Sequence, residues 1–135
     1  MKRLLLLLLL LVAPQAHADE NDAIALTVFD YINGWYNGDG EQMERALHPE
    51  LAKRIIDERA GLQHMGALRL VQMARAGVGT SVPEEERVRE IVILDASHDM
   101  ASVKARMHGW IDYLHLAKVD DEWKIVNVLW QLNDR

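Results

Sequence analysis

The chain has 135 residues, half of them hydrophobic, with no cysteine and a formal net charge of −6. That acidic balance argues against nucleic acid and against an anionic membrane surface, both of which reward clustered positive charge. Without cysteine there is neither a disulfide framework nor an attachment point for a lipoprotein anchor, so stability must come from a buried core.

The first 18 residues read as a secretory signal. Lys2 and Arg3 form a basic start, residues 4–12 an apolar run, and Ala16-His17-Ala18 a small-residue cleavage site. The run is too short to span a bilayer, which takes about 20 apolar residues. Cleavage after Ala18 leaves a single domain of 117 residues, 19–135, with 13 basic and 21 acidic side chains and a net charge of −8. The expected location is periplasmic or secreted, with no membrane attachment after cleavage.

Asp19, Glu20, Asn21 and Asp22 place capping side chains and negative charge ahead of a helix. Ile24, Val28, Tyr31, Ile32 and Trp35 then recur at helical spacing, and Asn37-Gly38 ends the helix. Asp39 and Gln42 resemble a capping box for a short second helix, stopped by His48-Pro49. Residues 51–57 read as a strand with Lys53 and Arg54 on opposite faces. Residues 66–76 read as a third helix, and 77–86 as a loop. Strands follow at 87–96 and 100–108, turned at Ser97-His98-Asp99. Helices gathered early and strands gathered late indicate an α+β domain, with about three helices covering one face of an antiparallel sheet.

The last third, WIDYLHLAKVDDEWKIVNVLW, reads as a hairpin turned at Asp120-Asp121, a pair less suited than Asp-Gly to the positive φ of a tight turn. Continued from that turn, the ladder puts Trp110, Asp112, Leu114, Leu116, Lys118, Trp123, Ile125, Asn127 and Leu129 on one face. Ile111, Tyr113, His115, Ala117, Val126, Val128 and Trp130 take the other. Both faces are apolar, so both need cover: a pocket on one side and a packing surface on the other.

Several residues are candidates for chemistry. Asp112 and Asn127 would be diagonal neighbours about 7–8 Å apart. They either touch one ligand, with Asp112 as a candidate catalytic base or proton donor, or satisfy groups at the sheet rim. Tyr31 and Trp35 either stack on a flat heterocycle or belong to the core, and Trp110 invites the same two readings. His48 either faces a cavity or caps the local backbone; Arg54 either binds an acidic ligand group or pairs with a surface carboxylate. Tyr113, His115 and Trp130 are placed for a dimer contact. No metal site is expected, because His108 and Asp112, four apart on a strand, lie about 13 Å from each other. His64 and His98 lack a partner at ligand spacing, and Ser81, Ser97 and Ser102 lie in no nucleophile elbow.

The segments DYINGWYNGDGEQMERALHPELAKR and WIDYLHLAKVDDEWKIVNVLW resemble the putative lumazine-binding family of the nuclear transport factor 2-like superfamily. The resemblance spans nearly all of residues 19–135; its one departure is Asp121, where glycine is expected in the turn. It implies a cone-shaped, curved sheet with helices closing its concave side around a cavity, and frequent dimerisation through the convex face. Binding of a small flat or apolar molecule, with no cofactor and without covalent chemistry, is the leading expectation. Alternatives are a cofactor-independent acid–base enzyme of isomerase or dehydratase type, using Asp112 with Asn127 or His48, and a dimeric partner-binding subunit.

Overall fold

The stripe of Ile24, Val28, Tyr31 and Ile32 builds the helix on which the other elements pack. In the computed structural model, which describes residues 14–133, this helix is α1 (Pro14–Asn37). All four side chains are buried, as is Tyr36 one turn beyond Ile32. The basic and apolar parts of the expected signal, residues 2–12, lie outside the described residues; residues 16–18 belong to α1. The acidic cluster expected ahead of the helix therefore lies within it. Glu20 is held there from the sheet, accepting hydrogen bonds from Lys118 Nζ (2.7 Å) and Trp123 Nε1 (2.8 Å). These bonds hold the Glu20 carboxyl below its usual pKa. Among the described residues no helix is long and apolar enough to cross a membrane.

Gly38, at φ 68°, turns the chain out of α1, and Asp39 caps α2 (Gly40–Ala46) by accepting from the Gln42 amide at 3.0 Å. The Gln42 side chain does not complete a capping box; it donates to Asp30 instead. Strand β1 (Leu47–Asp57) starts four residues earlier than its hydrophobic pattern suggests. Leu47 pairs with the distant Ile125, and an irregularity before Ala52 accommodates Pro49. Strand β2 (Gly61–Met65) has no counterpart in the sequence reading. It carries no apolar alternation and forms as an edge strand against β1 after an Asp57-stabilised turn. Helix α3 (Ala67–Arg75) follows, then two short 3-10 turns within the expected loop.

Strands β3 (Glu90–Ala96), β4 (Met100–Met107), β5 (Trp110–Val119) and β6 (Glu122–Leu132) form the antiparallel meander read from the sequence. The six strands lie in the order β2-β1-β6-β5-β4-β3, and β1 runs parallel to β6, so the sheet is mixed. It curves around α1, which touches β3, β4 and β6, while α3 covers β1. The inner row Ile93–Val103–Leu114–Val128–Lys53–Met65 crosses all six strands.

The hairpin register holds from Val119↔Glu122 up to Leu116↔Ile125, then shifts by one because Val126 is bulged out of β6. Beyond the bulge every β6 side chain is on the face opposite to that expected. Val128 and Trp130 turn inward, and Asn127 and Leu129 turn outward; the expected faces for these four residues are corrected accordingly. Asn127 sits opposite His115, and Asp112 sits opposite Trp130.

Both turn residues are left-handed, Asp120 at φ 50° and Asp121 at φ 63°. Such a conformation is costly for residues bearing a Cβ. Asp121→Gly is expected to stabilise the fold by about 0.5–1 kcal/mol, offset in part by the freer unfolded chain. Chemical denaturation would show a higher midpoint at unchanged m-value; a lower midpoint would mean that the aspartate side chain itself stabilises the turn.

Candidate functional site

Strand parity explains how a lysine comes to lie inside the domain. Leu51 and Lys53 both project to the inner face of β1, and Lys53 is only 5% exposed. An isolated ammonium at such depth would be very costly; it needs a partner. Lys53 pairs with Val128 on β6, while Asp112 lies two positions beyond Leu114 on β5, so the long lysine side chain reaches diagonally across β6 to the carboxylate. Lys53 Nζ donates to Asp112 Oδ1 at 2.8 Å, and Asp112 is completely buried.

Tyr31 closes the network from α1. Its hydroxyl donates to Asp112 Oδ2 and accepts from Lys53 Nζ, both at 2.8 Å. Each carboxylate oxygen thus receives a donor, and two of the three lysine N–H groups are used. Burial pushes the Tyr31 phenol well above the ordinary tyrosine pKa, with the Asp112 charge and hydrogen bond adding to it. The phenol therefore stays a proton donor. The ammonium also lies over the Trp130 ring, 5.1 Å from its centroid, and 5.4 Å from that of Tyr31.

Above this network is a cavity of about 270 Å³. Tyr31 and Trp35 of α1, Lys53 of β1 and Met65 of β2 form part of its wall, with Leu70 and Met73 of α3. Val78, Trp110, Trp130 and Leu132 complete it. Trp110 stands edge-on to Trp35 (centroids 5.9 Å apart) and to Trp130 (6.4 Å). A Cβ on Gly79 would collide with the Trp35 carbonyl and indole, so the absence of a side chain there lets the loop press Trp35 into place. The indole nitrogen of Trp110 is shielded from solvent and has no hydrogen-bond partner among the described residues.

Three of the residues expected to bind a ligand, Tyr31, Trp35 and Trp110, line this cavity, and Asp112 lies just behind it. Three others are elsewhere. Arg54 and Asn127 are on the outer face, where Arg54 Nη1 donates to Asn127 Oδ1 (3.3 Å) and Asn127 Nδ2 contacts His115 Nδ1 (3.1 Å). The expected Asp112–Asn127 pairing is thereby replaced by an Asp112–Lys53 pairing, a direct result of the bulge. His48 takes its local alternative, its Nδ1 accepting from the Glu50 amide at 3.1 Å. Trp130, expected with Tyr113 and His115 on the convex face, is a cavity residue; the other two are on the outside. Lys53 was missed as a site residue although the alternation Leu51–Lys53–Ile55 places it on an apolar face.

Breaking one partner of a buried pair leaves an uncompensated charge. Lys53→Met should cost about 3–5 kcal/mol in urea denaturation, whereas the double variant Lys53→Met/Asp112→Leu should cost less than this single change. Equal losses in the single and double variants would show that packing rather than charge burial dominates.

Among solved structures, the chain is similar to a nuclear transport factor 2-like protein of unknown function from Shewanella baltica. The two share 18% identity at a TM-score of 0.66, over 88% of this chain and 98% of that one. A nuclear transport factor 2-like protein of unknown function from Methylobacillus flagellatus is 23% identical at a TM-score of 0.64, over 85% and 93%. A putative aromatic ring hydroxylase from Novosphingobium aromaticivorans is 10% identical at a TM-score of 0.63, over 87% and 92%. At these identities the likeness is one of fold. No curated protein matches the sequence at a significant level. The family model described as putative lumazine-binding matches residues 19–131. With nearly the whole described domain covered and the fold in agreement, the chain belongs to the putative lumazine-binding family.

Proposed function

We propose that the protein is an exported binding protein that holds a small, flat, largely apolar molecule in the cavity between α1, α3 and the inner sheet face. The observation that carries this reading is the wall itself: three indoles and a phenol surround a volume of about 270 Å³. Ligand sites generally combine apolar walls with a few placed polar groups, over about 300–1,000 Å³. A cavity just below the lower end of that range suits a one- or two-ring molecule. The family's name offers lumazine, a bicyclic heterocycle, as a first probe. Binding is favoured over acid–base turnover at Asp112 because both carboxylate oxygens are engaged and the residue lies behind the wall.

Lumazine titrated into the purified protein should quench tryptophan fluorescence with a saturable profile. Trp130→Ala, which removes one aromatic wall, should weaken binding about tenfold or more. Non-saturable quenching, or identical affinity in the variant, would remove lumazine-like heterocycles from this cavity.

The outer face supports a second element of the reading, self-association. The row Val92–Lys104–Tyr113–Leu129–Arg54 crosses that face, and Val92, Tyr113 and Leu129 are each about half exposed, with Leu94 and Met100 nearby. Exposed apolar side chains gathered on one sheet face are the usual mark of a contact surface. Native mass spectrometry of protein from periplasmic extract should report a chain beginning at Asp19, assembled as a homodimer, and Leu129→Glu should convert it to a monomer. A mass retaining residues 1–18 would overturn export with cleavage, and an unaltered assembly in Leu129→Glu would overturn this interface.

A further inference from the structure

We propose that the cavity takes the hydrocarbon body of an amphiphilic anion, an aromatic carboxylate, whose charge is received at the rim by Arg69. This rests on the binding reading above and deepens it by naming both halves of the ligand.

The wall has almost nothing polar to offer. The surface that it turns toward the cavity is nearly all carbon and sulfur. The Tyr31 hydroxyl donates to Asp112 and accepts from Lys53, and the Lys53 ammonium is spent on those two groups. Lys53 therefore meets the cavity with its methylene stem. The Trp110 nitrogen is sealed off. That of Trp35 lies against the loop, where a Cβ on Gly79 would come within 2.7 Å of it. The nitrogens of Trp35 and Trp130 have no partner among the described residues, yet with so little polar surface inside, these indoles present ring carbon to the cavity. A polar atom enclosed here loses its water without gaining a partner, which costs more than an ordinary hydrogen bond returns. The enclosed part of the ligand is therefore hydrocarbon, and its polar group stays at the mouth.

The mouth lies where the wall meets solvent. Val78 and Leu132 both line the cavity and are about half exposed. Around α3, exposure rises in the order Leu70, Met73, Arg69, from cavity wall to solvent. Arg69 and Met73, four residues apart, are neighbours on that helix, so Arg69 flanks the wall at its outer edge. Its guanidinium has no ion pair or hydrogen bond among the described residues. Arg75 on the same helix is paired with Glu44, and Arg87 and Arg89 share Glu84. With 21 acidic residues against 15 basic ones, carboxylates are plentiful, and Arg69 nonetheless stands without one beside a hydrocarbon chamber. A guanidinium matches a carboxylate through two parallel N–H···O bonds. An apolar body inside and a carboxylate at Arg69 satisfy wall and rim together. A neutral hydrocarbon leaves the guanidinium unused, and a cation is repelled there.

The test compares 2-naphthoate with 2-naphthamide, of nearly equal shape but different charge, at low salt. Binding is followed by the methyl signals of Met65 and Met73, which line the cavity. Naphthoate is expected to bind about threefold to fivefold more tightly than the amide in the wild-type protein. Arg69→Gln should remove that preference. Arg59→Gln, which removes an exposed charge in the turn between β1 and β2, should retain it. Quinoxaline-2-carboxylate, with two ring CH groups replaced by nitrogen, should bind about tenfold more weakly than naphthoate. Equal affinities for naphthoate and naphthamide, with both methionines shifted, would overturn the anion preference while leaving cavity binding intact. A preference that survives in Arg69→Gln, or that is lost equally in Arg59→Gln, would overturn the assignment to the rim. Quinoxaline-2-carboxylate binding as tightly as naphthoate would overturn the hydrocarbon body. Saturable binding of none of the probes would overturn both this proposal and the binding reading.

Discussion

Val126 has no pairing partner on β5, and the interior of this domain depends on that one extra residue. Strand side chains alternate strictly, so an unpaired position reverses the facing of everything beyond it. Through the bulge Val128 joins the inner row beside Leu114, and Trp130 comes to lie opposite Asp112 and over the Lys53 ammonium. Without it, Asn127 and Leu129 would occupy the inner face, with Asn127 opposite Leu114 and Leu129 rather than Trp130 opposite Asp112. The bulge thus separates an aromatic chamber from the polar chain Arg54–Asn127–His115 on the outside.

The buried Tyr31–Lys53–Asp112 network is the second constraint, and it follows from the first. A lysine on an inner strand face requires a carboxylate within reach and a third group to complete the hydrogen bonding. Here one group comes from the central helix, one from β1 and one from β5. The network therefore ties α1 to both sides of β6 at the floor of the cavity. A buried pair of this kind is a weak source of net stability, but it restricts how these elements can be arranged. It also leaves a floor that is polar in composition and almost fully self-satisfied beneath aromatic walls.

At the opposite end of the hairpin, Glu20 plays a comparable role by linking the start of the family-matched segment to Lys118 and Trp123. Its carboxyl is held below the ordinary range and the Lys118 ammonium above it, each by hydrogen bonding to the other. The contact therefore persists between the ordinary carboxylate and lysine titration ranges. It weakens as pH falls through the Glu20 value or rises through that of Lys118. Anchors at both ends of α1 keep the helix seated in the sheet, with Tyr31 and Trp35 at the cavity wall.

Much of the architecture was legible without coordinates because it rests on local chemistry. The helical stripe from Ile24 to Trp35, the Asp39 cap, the strand alternation and the turn at Asp120-Asp121 depend on neighbours a few residues away. Asp112, Tyr31, Trp35 and Trp110 could be singled out for the same reason: an acid and aromatics on apolar faces stand out in a periodic pattern. What depends on distant partners was not legible. β2 exists because β1 offers it an edge, and the early start of β1 comes from pairing with Ile125. The position of the bulge is decided by which of Val126, Asn127 and Val128 packs best against α1 and β1, a choice that alternating apolar residues leave open. Local periodicity specifies which residues can be inside; only the closing of the sheet around α1 decided that Lys53 and Trp130 would be, and that Asn127 would not.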